Sequence, residues 1–282
     1  MTYRGARVAL ATKHGKEQAI AGPLLELAGI EVVVADGIDT DVLGTFTGEV
    51  ERKGTMLETA IAKARLGSSN LRLPFGVASE GSFGPHPSAP ILATGYELLV
   101  FVDDAAHVVI REERMETETN FSHLVVSDMA ATEPWLTQIG FPQHAVIVRP
   151  NQAEQRRVTA KGLIGVKELE QSILHASQES SDGCARLETD MRAHLNPTRM
   201  RSIAQLAASL GERLARLCPA CAAPGYGRTD VVRGLPCSTC GYPSRWIKFE
   251  RWTCARCSYG QDVERSDGRR EADPEHCQIC NP

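Results

Sequence analysis

Residues 218–221 read CPAC, and the same C-x-x-C spacing returns as CSTC at 237–240, CARC at 254–257 and CQIC at 277–280. A C-x-x-C turn places two thiolates on one side of a tight loop, and two such turns supply the four sulfur ligands of a tetrahedral zinc ion. The four pairs therefore predict two structural zinc ions with no open position for water. Their predicted ligands are Cys218, Cys221, Cys237, Cys240, Cys254, Cys257, Cys277 and Cys280.

The spacing of the pairs leaves open how they share the two ions. The segments between them hold 15, 13 and 19 residues, which suits neighbouring knuckles joined by a short hairpin. The simplest arrangement joins the first pair with the second and the third pair with the fourth. A cross-braced arrangement, in which the first and third pairs share an ion, is the alternative. Disulfides are less suited to C-x-x-C spacing, and the ninth cysteine, Cys184, is expected to be a free thiol.

The composition of the chain is that of a globular protein. With 282 residues and 42% hydrophobic content, it can bury one substantial core and carry a small appendage. The first residues hold only a short apolar run before charge resumes, which predicts neither a signal peptide nor a membrane span. Metal-type cysteines without an export signal predict a cytoplasmic location and no membrane partner.

The apolar pattern predicts three units: an α/β nucleotide-binding domain with a mixed sheet over 1–160, a helical segment over 161–216 and a double zinc ribbon over 217–282. Helices are expected at 16–28, with Gly29 as C-cap, and at 55–66. Beyond Val166 the pattern predicts helices only, the last one starting where Asn196 caps and Pro197 takes the first helical position. Strands are expected at 7–12, 30–35, 75–79, 97–103, 107–112, 121–126 and 145–149.

A polar loop follows the first predicted strand and leads directly into the first helix. It contains Thr12, Lys13, His14 and Lys16. In an open α/β sheet, anionic ligands bind where a strand ends and a helix begins. These four residues are therefore candidate phosphate-binding residues, and an ordinary solvated loop is the alternative interpretation.

A second block, at 54–65, reads GTMLETAIAKAR. Thr55 and Glu58 have the spacing of a capping box at a helix start. The block also resembles the G-T-F-E-E-N-A-x-x-K-A-R block of the inosine triphosphate and non-canonical purine nucleoside triphosphate pyrophosphatases, of the Maf-like superfamily. The matching residues are Gly54, Thr55, Glu58, Ala60, Lys63, Ala64 and Arg65.

Two more blocks are similar to that family. Ala11, Thr12 and Lys16 resemble its A-T-x-N-x-x-K phosphate turn, with His14 at the Asn position and Lys16 one residue early. The sequence at 78–83, ASEGSF, resembles its A-D-D-S-G-L block, with Glu80 at the second acidic position and Ser79 at the first. The resemblance implies that Glu58 and Glu80 hold a catalytic Mg²⁺, and that Lys13, Lys16 and Lys63 neutralise phosphate charge. It covers the N-terminal part of the chain and not the zinc tail. The whole chain also resembles a bacterial family of this layout. That second resemblance does not indicate any particular activity.

Further candidate residues carry weaker signals. His86, between two prolines, is a candidate for contact with the substrate base or for proton transfer, with a plain loop residue as the alternative. Asp39 and Asp41 could supply an additional carboxylate or a general base, and the alternative is that they only form a turn. Asp190, His194 and Arg199 are candidates to close the active site, and Arg199 is assigned to substrate binding. Caps and surface ion pairs are the alternative for these three.

The stretch from Arg213 to Arg256 carries eight basic residues, two acidic ones, and the aromatic residues Trp246, Phe249 and Trp252. Basic residues interleaved with aromatic ones can follow a nucleic-acid strand. The alternative is a small metal-stabilised module solvated by arginines. A formal net charge of −4 argues against a protein whose whole surface binds nucleic acid.

Two functions follow from the sequence. The first is a magnesium-dependent nucleoside triphosphate pyrophosphohydrolase-like enzyme, with Lys16, Glu58 and Glu80 as catalytic residues and a structural zinc tail. The second is a non-catalytic protein whose α/β domain senses a nucleotide and whose zinc ribbon binds nucleic acid or a protein partner.

Overall fold

The computed structural model describes residues 2–38, 54–153 and 157–282. Asp39 and Asp41 lie outside the described residues. The N-terminal part forms a five-stranded mixed sheet in the order β2-β1-β3-β4-β5, as expected for an α/β domain. β1 pairs in parallel with β2 and β3, and the β3-β4-β5 part is antiparallel. The strands are β1 (Arg7–Leu10), β2 (Glu31–Val34), β3 (Phe75–His86), β4 (Ala89–Asp103) and β5 (Val108–Glu116).

Helices cover both faces of this sheet. Because successive side chains of a strand point to opposite faces, Leu99 and Phe101 of β4 pack with α1 (Glu17–Ala28) and α5 (Pro197–Ala215), whereas Leu98 and Val100 pack with α2 (Met56–Leu71). The first core is rich in Leu and Ile, and the second consists largely of Ala and Val. The small residues of α2 allow its backbone to lie close to the sheet, so that Gly76 of β3 has no room for a Cβ beside Ala64.

The predicted helix signals are confirmed. Gly29 ends α1 in the left-handed region with a φ of 68°. Thr55 and Glu58 form both hydrogen bonds of the capping box at the start of α2. The Asn196 side chain accepts a 3.0 Å hydrogen bond from the backbone N–H of Arg199 at the start of α5. Local signals therefore placed these helix ends correctly.

A second sheet occupies the middle of the chain. Its strands are β6 (His123–Val126), β7 (Val146–Pro150), β8 (Ala160–Leu163) and β9 (Ala185–Thr189), in the antiparallel order β6-β9-β7-β8. The core between this sheet and the helices α3 (Glu133–Ile139) and α4 (Val166–Glu179) contains Trp135, Leu169 and Leu187. The expectation that strands end at Val166 was wrong, because β9 forms the centre of this sheet. The segment 161–216 is thus not a purely helical connector.

The C-terminal module is built on a three-stranded antiparallel sheet of β10 (Gly227–Arg233), β11 (Ile247–Thr253) and β12 (Gly260–Glu264). Arg213, near the end of α5, joins this module to the first sheet. Its guanidinium group donates to the carbonyl of Gly225 at 3.1 Å, to the carbonyl of Arg111 at 2.8 Å and to the Glu112 carboxylate at 2.9 Å. No helix in the described part of the chain is long and apolar enough to cross a membrane.

Candidate functional site

The eight cysteines of the C-x-x-C pairs form two groups, and the grouping is cross-braced. One group contains Cys218, Cys221, Cys254 and Cys257, and the other contains Cys237, Cys240, Cys277 and Cys280. Sulfur atoms of different pairs approach to between 3.6 and 3.9 Å. A tetrahedron with zinc–sulfur bonds of about 2.3 Å has edges of about 3.8 Å, so both groups fit a structural zinc ion.

The sequential pairing that the sequence favoured was therefore wrong, and strand pairing gives the reason. Gly227 of β10 pairs with Thr253 of β11, which brings the knuckle before β10 beside the knuckle after β11. At the other end of the sheet, the backbone N–H of Ser238 in the second knuckle donates to the Ala272 carbonyl, and Ala272 precedes the fourth knuckle. The register of the sheet, rather than distance along the chain, decides which thiols meet.

The electrostatics within each group favour a bound cation. Backbone N–H groups of Cys280 and Ile279 lower the pKa of Cys277 to about 7. The neighbouring Cys240 thiol, together with burial, raises the pKa of Cys280 to about 12. Four sulfur atoms at this distance do not all ionise by themselves, because thiolates repel one another. A zinc ion would remove that conflict.

A second cluster of functional groups lies in the α/β domain, where β1 ends. Leu10, the last residue of β1, pairs with Val77 of β3, so the loop after β1 lies beside Ser79 and Glu80 as β3 continues. The Lys16 ammonium donates to the Ser79 carbonyl at 2.8 Å and is 3.4 Å from the Ser79 hydroxyl. Lys63 of α2 forms a buried ion pair with Glu80, with Nζ 2.5 Å from Oε1.

The electrostatic environment of Lys16 connects these groups. Burial, together with the positive charge of Arg199, lowers the pKa of Lys16 to about 8, against the raising effect of Glu80 and Glu97. Lys16 therefore shares one charged cluster with side chains from α2, β3, β4 and α5. Of its five members, Glu97 alone was missed by the sequence analysis.

Glu97 and Arg199 form the most buried ion pair of this cluster. Their side chains are 2% and 4% exposed, and Arg199 Nε is 2.5 Å from Glu97 Oε1. Arg199 also donates to the Met191 carbonyl. Gly81 makes room for the pair, because a Cβ there would collide with the guanidinium and lie 2.8 Å from Glu97 Oε1. The sequence did contain a signal for Glu97. It is the one Glu in an apolar strand run, and a buried charge needs a partner.

Two histidines are in contact at the loop after β1: His14 belongs to the loop, and His194 lies beside it. The rings of His14 and His194 are stacked with centroids 5.0 Å apart. The Thr12 hydroxyl accepts a 3.2 Å hydrogen bond from the backbone N–H of His14. Burial lowers the pKa of His194, and the charge of Arg192 adds to that effect. The structure thus brings His194 and Arg199, which are far along the chain, to the predicted phosphate loop.

The family model of a domain of unknown function, DUF6671, matches residues 63–282. The chain belongs to the DUF6671 family. The DUF6671 match includes both cysteine groups, Lys63, Glu80, Glu97 and Arg199, and it begins after Lys16 and Glu58 in the sequence. No curated protein and no solved structure matches this DUF6671 chain.

Other predicted site residues of this DUF6671 protein have local roles. Glu58 is exposed, and its carboxylate accepts from the Thr55 backbone N–H at 2.9 Å and from the Thr55 hydroxyl at 2.9 Å. His86 lies at the β3–β4 turn, where Nδ1 accepts from the Ser88 backbone N–H. Asp190 is fully buried and holds Arg192 through paired hydrogen bonds. Lys13 is exposed in the loop itself.

Carboxylates do not form a ready-made metal centre in the ranges that the structure describes. Within those ranges, two groups of three or more side chains lie close enough together to share a metal ion, and both are the cysteine groups. A role of Glu58 and Glu80 in holding Mg²⁺ therefore stays a prediction.

Proposed function

We propose that this protein is a magnesium-dependent nucleoside triphosphate pyrophosphohydrolase whose phosphate site is the charged cluster at the end of β1. One observation carries the proposal. Three cationic side chains from different elements, Lys16, Lys63 and Arg199, converge beside two buried carboxylates, and the pKa of Lys16 falls to about 8. Holding like charges together in a partly buried site is unfavourable, and an anionic phosphate chain would offset that cost.

The residues of the cluster have distinct proposed roles. Lys16 and the amides of the loop at the start of α1 bind phosphate oxygens, as helix starts generally do. Glu80 holds the metal, and Lys63 orients the Glu80 carboxylate through their ion pair. One or two carboxylates together with substrate phosphates commonly suffice to bind Mg²⁺, so the donor set fits. Mg²⁺ at this position would neutralise developing charge on the phosphate chain and activate water.

A second candidate function is favoured by the position of Glu58. Its carboxylate is exposed and already completes the capping box with Thr55 at the start of α2. If Glu58 has only that role, the cluster has fewer metal ligands than the resemblance implies. The α/β domain would then bind a nucleotide without cleaving it, as in the non-catalytic alternative.

The test is release of pyrophosphate from a panel of standard and deaminated nucleoside triphosphates in the presence of Mg²⁺. We expect pyrophosphate and a nucleoside monophosphate from at least one substrate. Lys16→Met and Glu80→Gln should lower the rate by about 100-fold, the usual effect of removing one charge-stabilising group. Nucleotide binding should be measured on the same samples.

Glu58 can be tested separately because its two roles have different chemical requirements. Glu58→Gln keeps an acceptor for the capping box but removes the negative charge, whereas Thr55→Ala weakens the cap and keeps the carboxylate. If Glu58 holds the metal, the Glu58→Gln variant loses enzymatic activity and the Thr55→Ala variant keeps it. Binding without cleavage of any substrate would establish the non-catalytic alternative, and absence of both would contradict the two functions together.

A further inference from the structure

The basic stretch of the zinc module is largely occupied by internal contacts. Arg213 is buried against Glu112, Arg228 lies 3.3 Å from Glu250, and Arg251 lies 2.8 Å from Asp262. Over 217–282 the chain has nine Lys and Arg residues against eight Asp and Glu residues. Two ions held by four thiolates each would add further negative charge. Most of this module is thus unsuited to a polyanion.

One concave pocket on the module differs from the rest of its surface. Lys248, Arg265, Arg269 and Arg270 surround a cavity of about 170 Å³, and Glu264 is the acidic residue that lines it. Arg265 is paired with Asp267. Among the residues that the structure describes, Lys248, Arg269 and Arg270 form no ion pair within 4.0 Å. Three cations without a carboxylate partner at that distance therefore face one depression.

Aromatic rings accompany these cations. Phe249 lines the pocket, with the Lys248 ammonium 5.2 Å from the centre of its ring. Trp246 lies next to it, under the guanidinium of Arg269 at 4.7 Å. Proteins that bind single strands combine cations along the backbone with aromatic rings on which bases stack. The small cavity admits a single base, whereas a duplex is too wide to enter it.

We propose that this basic pocket, defined by Lys248, Phe249, Arg269 and Arg270, binds single-stranded nucleic acid. Lys248, Arg269 and Arg270 contact phosphates, and one base packs against Phe249. Because the rest of the module is nearly balanced in charge, affinity depends on these few residues. The inference is independent of hydrolysis in the α/β domain, since the pocket consists of residues of the zinc module alone.

The experiment uses the full-length, zinc-loaded protein and fluorescently labelled oligo-dT and oligo-rU, with binding followed by anisotropy over a salt series. The double variant Arg269→Gln/Arg270→Gln should bind at least tenfold more weakly at low salt. Its plot of log affinity against log salt should be less steep by about 0.7 for each phosphate that the variant no longer neutralises. Phe249→Leu should weaken binding about fivefold or more, because it removes a stacking surface.

The matched control is the double variant Arg228→Gln/Arg251→Gln, which removes the same number of charges outside the pocket. Zinc content of every variant is measured, and Lys248→Gln provides a second pocket variant if another loses metal. Equal reductions in affinity in control and pocket variants, or no binding of either oligonucleotide at low salt, would overturn the proposal. So would a polyglutamate peptide that binds as tightly as the oligonucleotides, because the pocket would then be a site for acidic polypeptides.

Discussion

Lys16 shows how the fold changes the chemistry of one residue. Its ammonium group donates to the Ser79 carbonyl, and burial lowers its pKa from 10.5 to about 8. The unfolded chain therefore binds a proton at Lys16 more tightly than the folded protein does. At neutral pH the charged Lys16 lowers the stability of the fold, which is typical of a group kept for ligand binding.

We expect Lys16→Met to raise the free energy of unfolding by about 1–3 kcal/mol at pH 7, since each unit of pKa shift corresponds to about 1.4 kcal/mol. The advantage of the variant should shrink as pH rises from about 8 towards 10.5, because the unfolded chain holds the extra proton in that window and the wild type gains stability there. Urea unfolding of the wild type and the variant at pH values from 7 to 10.5 measures this difference in stability. Lys167→Met, at an exposed site on α4, is the control, and a pH-independent difference for Lys16→Met contradicts the argument.

At the scale of elements, the backbones of α2 and β3 are in close contact. A Cβ added to Gly76 of β3 would collide with the carbonyl oxygen of Ala64 in α2. Ala60 and Ala64, which face the sheet, are fully buried. This close packing carries Lys63 to Glu80 across the interface.

Gly76→Ala should lower the free energy of unfolding by about 2 kcal/mol or more, because an extra methyl group forces the helix away from the strand. Gly84→Ala is the matched control in the same strand, since its Cβ would have no atom within 4 Å. Thermal or urea unfolding of both variants provides the measurement. Equal stabilities of the two variants would contradict this, because α2 could then move away from β3 at no cost in free energy.

The sequence predicted the elements whose signals are local. The capping box of Thr55 and Glu58 and the Asn196 cap each lie within a few residues, so the helix ends were correct. β9 was missed because its five residues, ARLET, include two charged ones. Those charges are balanced within the sheet, where Glu188 contacts both Arg186 of its own strand and Arg149 of β7.

In the charged cluster, too, the sequence predicted only the residues that carry local signals. Lys16, Glu80 and Lys63 could be proposed from short motifs. The pairing of Glu97 with Arg199 joins residues 102 positions apart and depends on how α5 crosses the sheet. The cross-braced cysteines also depend on strand register, which C-x-x-C spacing does not encode.

At the scale of the whole molecule, the first cysteine group has a small core of its own, which packs against the main core. Ala255, inside the third knuckle, packs against the large hydrophobic cluster of the α/β domain. Gly225, beyond the first knuckle, lies so close to Ile110 of β5 that a Cβ would collide with it. The second site instead closes on its own segment, where Trp246 stacks on His276 at 4.6 Å.

Metal loss should therefore have different effects at the two sites. The wild type should contain two zinc ions per chain, and Cys221→Ser and Cys240→Ser, both at exposed cysteines, should each weaken one site. We expect Cys221→Ser to increase hydrogen exchange in β5 and the end of α5, and Cys240→Ser to increase it only within 235–282. Elemental analysis and exchange measurements test this, and identical exchange patterns in the two variants would contradict it.

Cross-bracing also matters while the protein is being synthesised, because each cysteine group joins residues that are translated at different times. Cys218, Cys221, Cys237 and Cys240 leave the ribosome before any of their true partners. Any zinc ion captured by these four thiols at that stage would have to be released again, because each cysteine group takes two of its four members from residues that are translated later. Ala255, which packs against the main core, is also translated after these four cysteines. If zinc binds during synthesis, the nascent chain thus passes through a stage in which these four thiols can complete a tetrahedral site only with the wrong partners.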